Sequence, residues 1–176
     1  MAEHTRRLFF ALWPDAAQRA ALDAAGQALT GKRVRRVAAD NLHLTMAFAG
    51  SVSAATQACL ERQAAAIRAA PFALTINHAG YFPRPRILWI GPEDVPGGLW
   101  ALAGALRQAL VDCGISPGLH AFQAHVTVAR KYSEGAPARS IAPLEWSIRD
   151  FRLVESVSTE NGVRYRPLRS WPLEGE

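Results

Sequence analysis

Short apolar blocks alternate along this chain with alanine-rich stretches, and the alternation occurs twice. Residues 6–13, RRLFFALW, are apolar, aromatic and few, which predicts a buried strand. Pro14 and Asp15 end it and open a helix, since proline is tolerated in the first turn and an acid is favoured at the positive end. AAQRAALDAAGQAL then carries strong helix formers with apolar residues at helical spacing, closed by Gly31. RVRRVAA (33–39) reads as a strand with charges on one side, and NLHLTMAFAG (41–50) as a better-defined one. A second helix is predicted over 53–70, ending before Pro71.

The pattern then restarts. FALTINHAGYF (72–82) and RILWIG (86–91) read as strands around a proline-rich turn, Pro83 to Pro85. Pro92 and Glu93 precede a helix over about 97–113, with Gly114 after it, and HAFQAHVTVARK (120–131) supplies the next strand. RLFFALWPD, opening at Arg7, and RILWIGPED, opening at Arg86, share a basic residue, an apolar run, a proline and an acid. Each is followed by a helix and then by a strand bearing His-x-Thr, at His43 in the first copy and His125 in the second. The offset between the arginines nearly equals the offset between the histidines, and so small a drift is ordinary for an old duplication. The tail, EWSIRDFRLVESVST (145–159) and VRYRPLRSWPL (163–173), predicts two more strands joined at ENG.

Strands adjacent in sequence, mixed with a few helices, predict an α+β fold. The duplication makes it a bilobal, pseudo-twofold unit. Mostly antiparallel sheets would line a central cleft, with the helices outside. A length of 176 residues and no linker-like stretch predict a single domain over 1–176, with the repeated motifs at 43–46 and 125–128.

Composition narrows the function classes. At 49% hydrophobic residues the chain can bury a sizeable core and is not disordered. Twenty Lys+Arg against fifteen Asp+Glu leave +5, which suits a polyanionic partner such as nucleic acid. Cys59 and Cys113 lie far apart with no C-x-x-C or Cys/His pattern, so neither a disulfide framework nor a structural zinc site is predicted, and both read as small core residues. LFFALW is too short for a secretory core and no later stretch can span a bilayer, so a cytoplasmic protein is expected.

The polar exceptions inside the two His-x-Thr strands carry the chemistry. Residues i and i+2 of a strand face the same side, so His43 shares a face with Thr45, and His125 with Thr127. If the halves are related by a pseudo-twofold, all four could line one groove. Two facing imidazoles suit acid–base catalysis on a phosphoester. A neutral ring takes a proton, an imidazolium returns one, and each role is typically worth about 10²–10⁴-fold. The threonine hydroxyls can hold non-bridging phosphate oxygens. A single His-x-Thr is more often structural than catalytic, but two at matching places in a repeat form a pattern. His4, His78 and His120 have no such partner pattern. A metal held by His43 and His125 would want carboxylates or thiolates where the pattern offers threonines, so no metal and no cofactor are expected.

These residues, with RLFFALWPD, NLHLTMAFAG, Phe82-Pro83 with RILWIG, HVTVAR and FRLVESVSTENGVRYRPLRSWPL, resemble the two-histidine (2H) phosphoesterase superfamily nearly end to end. Within it the similarity is to the RNA 2′,3′-cyclic phosphodiesterase branch, also called 2′-5′ RNA ligase-like. The resemblance implies metal-independent opening of a 2′,3′-cyclic phosphate at an RNA end to a 2′-phosphate. His43 would protonate the departing 3′ oxygen, His125 would activate water, and Thr45 and Thr127 would hold the phosphate. Arg130 is either a phosphate contact or a surface arginine at a strand end. Phe9 and Phe48 could stack on bases, with core packing the expected role of each.

The sequence departs from the family's pattern at Ala124, where proline is common, at Arg36, where an aromatic is frequent, and at Ala49, where leucine is usual. None is a motif residue. The alternatives are the same site joining RNA ends as a 2′-5′ ligase, and an RNA-binding module without turnover. The expected partners are RNA with 2′,3′-cyclic phosphate ends or small cyclic nucleotides, and the expected state is a monomer.

Overall fold

A computed structural model describes residues 4–135 and 139–175. Eight strands form one sheet: β1 (Arg6–Leu12), β2 (Leu44–Val52), β3 (Phe72–Phe82), β4 (Ile87–Gly91), β5 (Val126–Ala129), β6 (Arg139–Ile148), β7 (Asp150–Thr159) and β8 (Gly162–Pro172). The helices are α1 (Ala16–Leu29), α2 (Ala54–Ala66) and α3 (Gly97–Asp112). The sheet order is β6-β3-β4-β5-β2-β1-β7-β8, and every adjacent pair is antiparallel. The α+β class holds, with one sheet antiparallel throughout.

Alternation builds the two faces. Leu8, Phe10, Leu12, Leu44, Met46, Leu88, Ile90, Val126, Val128, Phe151 and Leu153 are buried in one cluster with Leu22 of α1, Leu60 of α2 and Leu102 and Leu106 of α3. The opposite face carries a smaller cluster of Phe9, Ala11, Trp13 and Val154, packed by Tyr165. A period of two thus sends one set of side chains under the helices and the other set outward. The first two helices start on side-chain caps. The Asp15 carboxylate accepts from Gln18 N–H at 2.8 Å, and Ser53 Oγ accepts from Thr56 N–H at 3.2 Å.

Four readings of the sequence change. RVRRVAA forms no strand: Arg36 makes a single bridge to Ala129, Val37 N–H donates to Val128 O, and a one-turn 3-10 helix, Ala39–Asn41, follows. This segment covers the end of β5, where it diverges from β2, so its pairing stops after one residue. The predicted strand over 145–159 is two, β6 and β7, on opposite sides of the sheet, with Arg149 at the break. The strand over 120–131 shortens to Val126–Ala129.

The fourth change concerns the cysteines. Cys59 and Cys113 form a disulfide across 54 residues, with Cα atoms 5.8 Å apart. Both are half-buried rather than core. Docking of α2 against the end of α3 brings them together, and no spacing rule in the sequence encodes that contact.

Candidate active site

Strands β2 and β5 meet at one pair only, Leu44 with Val126. Continued by one residue each way, that antiparallel register sets His43 across from Thr127 and Thr45 across from His125. All four side chains lie on the face away from the helices and line one open cleft of about 860 Å³. Beyond this pair the strands splay, which leaves room for a ligand between them.

Each imidazole is held from behind in the same way. His43 Nδ1 lies 2.6 Å from Asn41 O, and His125 Nδ1 lies 2.8 Å from Gln123 O. A carbonyl can only accept, so Nδ1 carries the proton in both rings and Nε2 is the free nitrogen. At His43, Nε2 lies 3.0 Å from Thr45 Oγ1, whose hydroxyl donates to it. At His125, Nε2 has no hydrogen-bond partner among the described residues.

The two surroundings differ. Trp13 stacks on His43 at 5.7 Å, Phe9 tilts against it at 5.0 Å, and Tyr165 meets it edge-on at 4.9 Å. Burial pulls the His43 pKa from 6.5 down to about 4; Arg130 and His125 push the same way, and the Asn41 carbonyl pushes back. His125 has Phe82 edge-on at 5.1 Å and Trp89 at 6.2 Å. Its pKa is also lowered, chiefly by burial and further by Arg130, against the Gln123 carbonyl.

Arg130 lines the cleft, exposed, close enough to act electrostatically on both rings. It joins Arg7, Arg35, Arg36 and Lys131, so the cleft concentrates the chain's positive charge. Arg36 is partly committed to Asp23, at 3.1 Å. Lys131 takes a left-handed φ of 53°, a strained conformation for a side-chain-bearing residue, where the chain turns out of β5.

Phe48 departs from its expected place in the core. It is 48% exposed and lines the cleft, with the Arg7 guanidinium 4.7 Å from its ring centre. Counting by twos from His43 puts residue 48 on the helix-covered face. The register instead pairs Ala11 with Thr45 and Phe10 with Ala47, so Met46 is an extra residue, and the bulge turns Phe48 to the cleft beside Phe9. A second shift at Ala49 uses Gly50, at φ 77°, a conformation glycine adopts freely. Phe9 is buried, but it packs against His43 rather than under the helices.

Three residues of this site escape sequence reasoning. Asn41 Nδ2 donates to Val163 O at 2.9 Å, its Oδ1 accepts from Tyr165 N–H at 3.4 Å, and its carbonyl holds His43. Tyr165 comes from β8, far along the chain, and Trp13 from beyond the end of β1. Only the clustering of aromatic residues near strand ends could have hinted at the last two. Among the described residues, no three His, Cys, Asp or Glu side chains cluster as a metal site would require, and no helix is long and apolar enough to cross a membrane.

The profile of the 2'-5' RNA ligase superfamily matches residues 13–160. The RNA 2',3'-cyclic phosphodiesterase of Escherichia coli (strain K12) is 40% identical over 143 residues, 79% of this chain and 80% of that protein. The protein of the same name from Archaeoglobus fulgidus is 32% identical over 146 residues, 77% and 82% of the two chains. The crystal structure of E. coli LigT complexed with 3'-AMP superposes with a TM-score of 0.89 at 34% identity, covering 98% of this chain and 100% of that one.

Proposed function

This chain belongs to the 2'-5' RNA ligase superfamily, and we propose that it hydrolyses the 2′,3′-cyclic phosphate at an RNA end to a 2′-phosphate. The observation that carries the reading is the matched pair of imidazoles, each with Nδ1 tied to the carbonyl two residues back and Nε2 left for the cleft. The similar proteins named for this activity, and the LigT structure with a bound nucleotide, support it.

In this mechanism water attacks phosphorus in line with the P–O3′ bond. His125 Nε2 takes the water's proton, the P–O3′ bond breaks, and the 3′ oxygen receives a proton from His43 Nε2. Thr45, Thr127 and Arg130 hold the non-bridging oxygens, and Arg130 offsets the charge that builds there. Burial keeps His43 neutral at pH 7 in the free protein, which conflicts with its work as an acid. A phosphate monoanion beside it reverses that balance, because an adjacent negative charge favours imidazolium. Substrate therefore arms its own acid.

Exposed Phe48, capped by Arg7, is a platform for a base next to the phosphate. The basic rim favours an RNA end over a small cyclic nucleotide. The sheet order, read outward from the β2–β5 seam, supports one domain of two related lobes. We read it as a monomer, since every residue named comes from one chain. We place it in the cytoplasm, where thiols are kept reduced and the Cys59–Cys113 bridge would open.

The test is incubation of the protein, in EDTA, with a short RNA ending in a 2′,3′-cyclic phosphate. A 2′-phosphate product is expected. No product, or loss of activity on chelation, would sink the metal-free reading.

A further inference from the structure

A second hollow, of about 310 Å³, lies beyond Trp89 from the main cleft, walled by His78, Trp89, Trp100, Phe122 and Gln123. Gln123 and Ala124 lead directly into His125, so this hollow opens at the His125 end of the catalytic pair. Trp100 is 50% exposed, and Phe122 meets it edge-on at 5.7 Å. Phe48 and Trp100 are the two aromatic side chains among the exposed large hydrophobics of the described residues. One stands in each half of the molecule.

Charge separates the two hollows. The main cleft is lined by four arginines and a lysine, whereas the second has neither and carries Glu93. Phosphate is favoured in the first and repelled from the second, while a flat uncharged ring suits the aromatic walls.

We infer that this second hollow is an acceptor subsite, which takes the nucleobase of a nucleoside whose 5′-hydroxyl replaces water beside His125. The inference rests on the catalytic roles proposed above. With in-line displacement the leaving 3′ oxygen, and the ribose that bears it, lie on the His43 side with Phe48. A hollow on the His125 side therefore serves whatever attacks. The acceptor's 5′ oxygen forms a bond to phosphorus and gives its proton to His125, the P–O3′ bond breaks, and His43 protonates O3′. The product is a 2′–5′ phosphodiester, with no cofactor or energy source needed. A 5′-hydroxyl end is uncharged, so Glu93 does not repel it.

The experiment supplies the cyclic-phosphate RNA and an excess of a 5′-hydroxyl adenosine dinucleotide, and measures hydrolysed and joined products together. Wild type is expected to yield both. Trp100→Ala should lower the joined-to-hydrolysed ratio roughly tenfold, the effect of losing one base–aromatic stack, with hydrolysis within about twofold of wild type. Phe122→Ala should lower the ratio in the same direction. Hydrolysis without joining, or a ratio unmoved by both substitutions, would overturn the subsite and leave the hydrolytic reading standing. Absence of hydrolysis by wild type would overturn that reading, and the subsite with it.

Discussion

The His43 half and the His125 half share a backbone device and differ in what surrounds it. In both, a strand begins at the histidine, the carbonyl two residues earlier fixes the tautomer, and a threonine follows on the same face. Around His43 three aromatic rings close in, and Thr45 occupies its free nitrogen. Around His125 there are two rings, an exposed approach through Gln123 and no hydroxyl on Nε2. Duplication supplies two rings in one geometry. Packing then gives them different proton affinities, and a reaction that needs one acid and one base requires that inequality.

The largest effect that tests this comparison is removal of either ring. His43→Ala and His125→Ala should each reduce cyclic-phosphate hydrolysis by about 10²–10⁴-fold, with the double variant little worse than the weaker single. Single-turnover rates would check this. A single variant that kept most of its activity would remove that ring from the chemistry.

Next comes a lesion confined to the His125 wall. A Cβ at Gly80 would collide with the Trp89 ring, so Gly80→Ala must displace that indole. We expect a destabilisation of about 1–3 kcal/mol, as for overpacking. Activity should fall through His125 while the His43 environment stays intact. NMR of the two imidazoles would separate the responses; an equal shift at both would show that the halves are not independent.

The pH dependence sharpens the contrast without breaking it. Both pKa values lie below 6.5, so the bell-shaped kcat/KM profile should be centred on the acid side of 6.5. Arg130 lowers both, so Arg130→Gln should shift both limbs to higher pH while reducing the rate. A profile with one limb would refute the paired mechanism. The stability sign follows from the same shift. With the folded-state pKa of His43 depressed to about 4, its contribution is full above 6.5 and is lost as pH falls from 6.5 towards 4. His43→Asn should flatten the fall in Tm over that range.

The smallest expected effect on activity is at the disulfide, on the helix side of the sheet, away from both histidines. Replacing Cys59 and Cys113 by serine should cost roughly 2–4 kcal/mol of stability and leave hydrolysis unchanged. Denaturant melts with parallel assays would check it. A loss of activity in the folded variant would tie the helix layer to the cleft.

Local pattern was enough for much of this molecule. Most strands and all three helices follow from apolar blocks, periodicity and stop residues, and the duplication is visible because both copies kept the same punctuation. His43, Thr45, His125 and Thr127 are legible as a group because the period of two in a strand is a property of the chain itself. Their shared face needs no tertiary knowledge.

Contacts between distant segments decided the rest. The single bridge Leu44–Val126 brings the two motifs together, and a bulge at Met46 turns Phe48 outward against the count by twos. Tyr165 reaches His43 only because β8 is tied to Asn41, and Cys59 meets Cys113 only because α2 docks on α3. Proton affinity belongs to this class as well. The two histidines are the same residue in nearly the same motif, and burial, which no local sequence window reports, sets their charge.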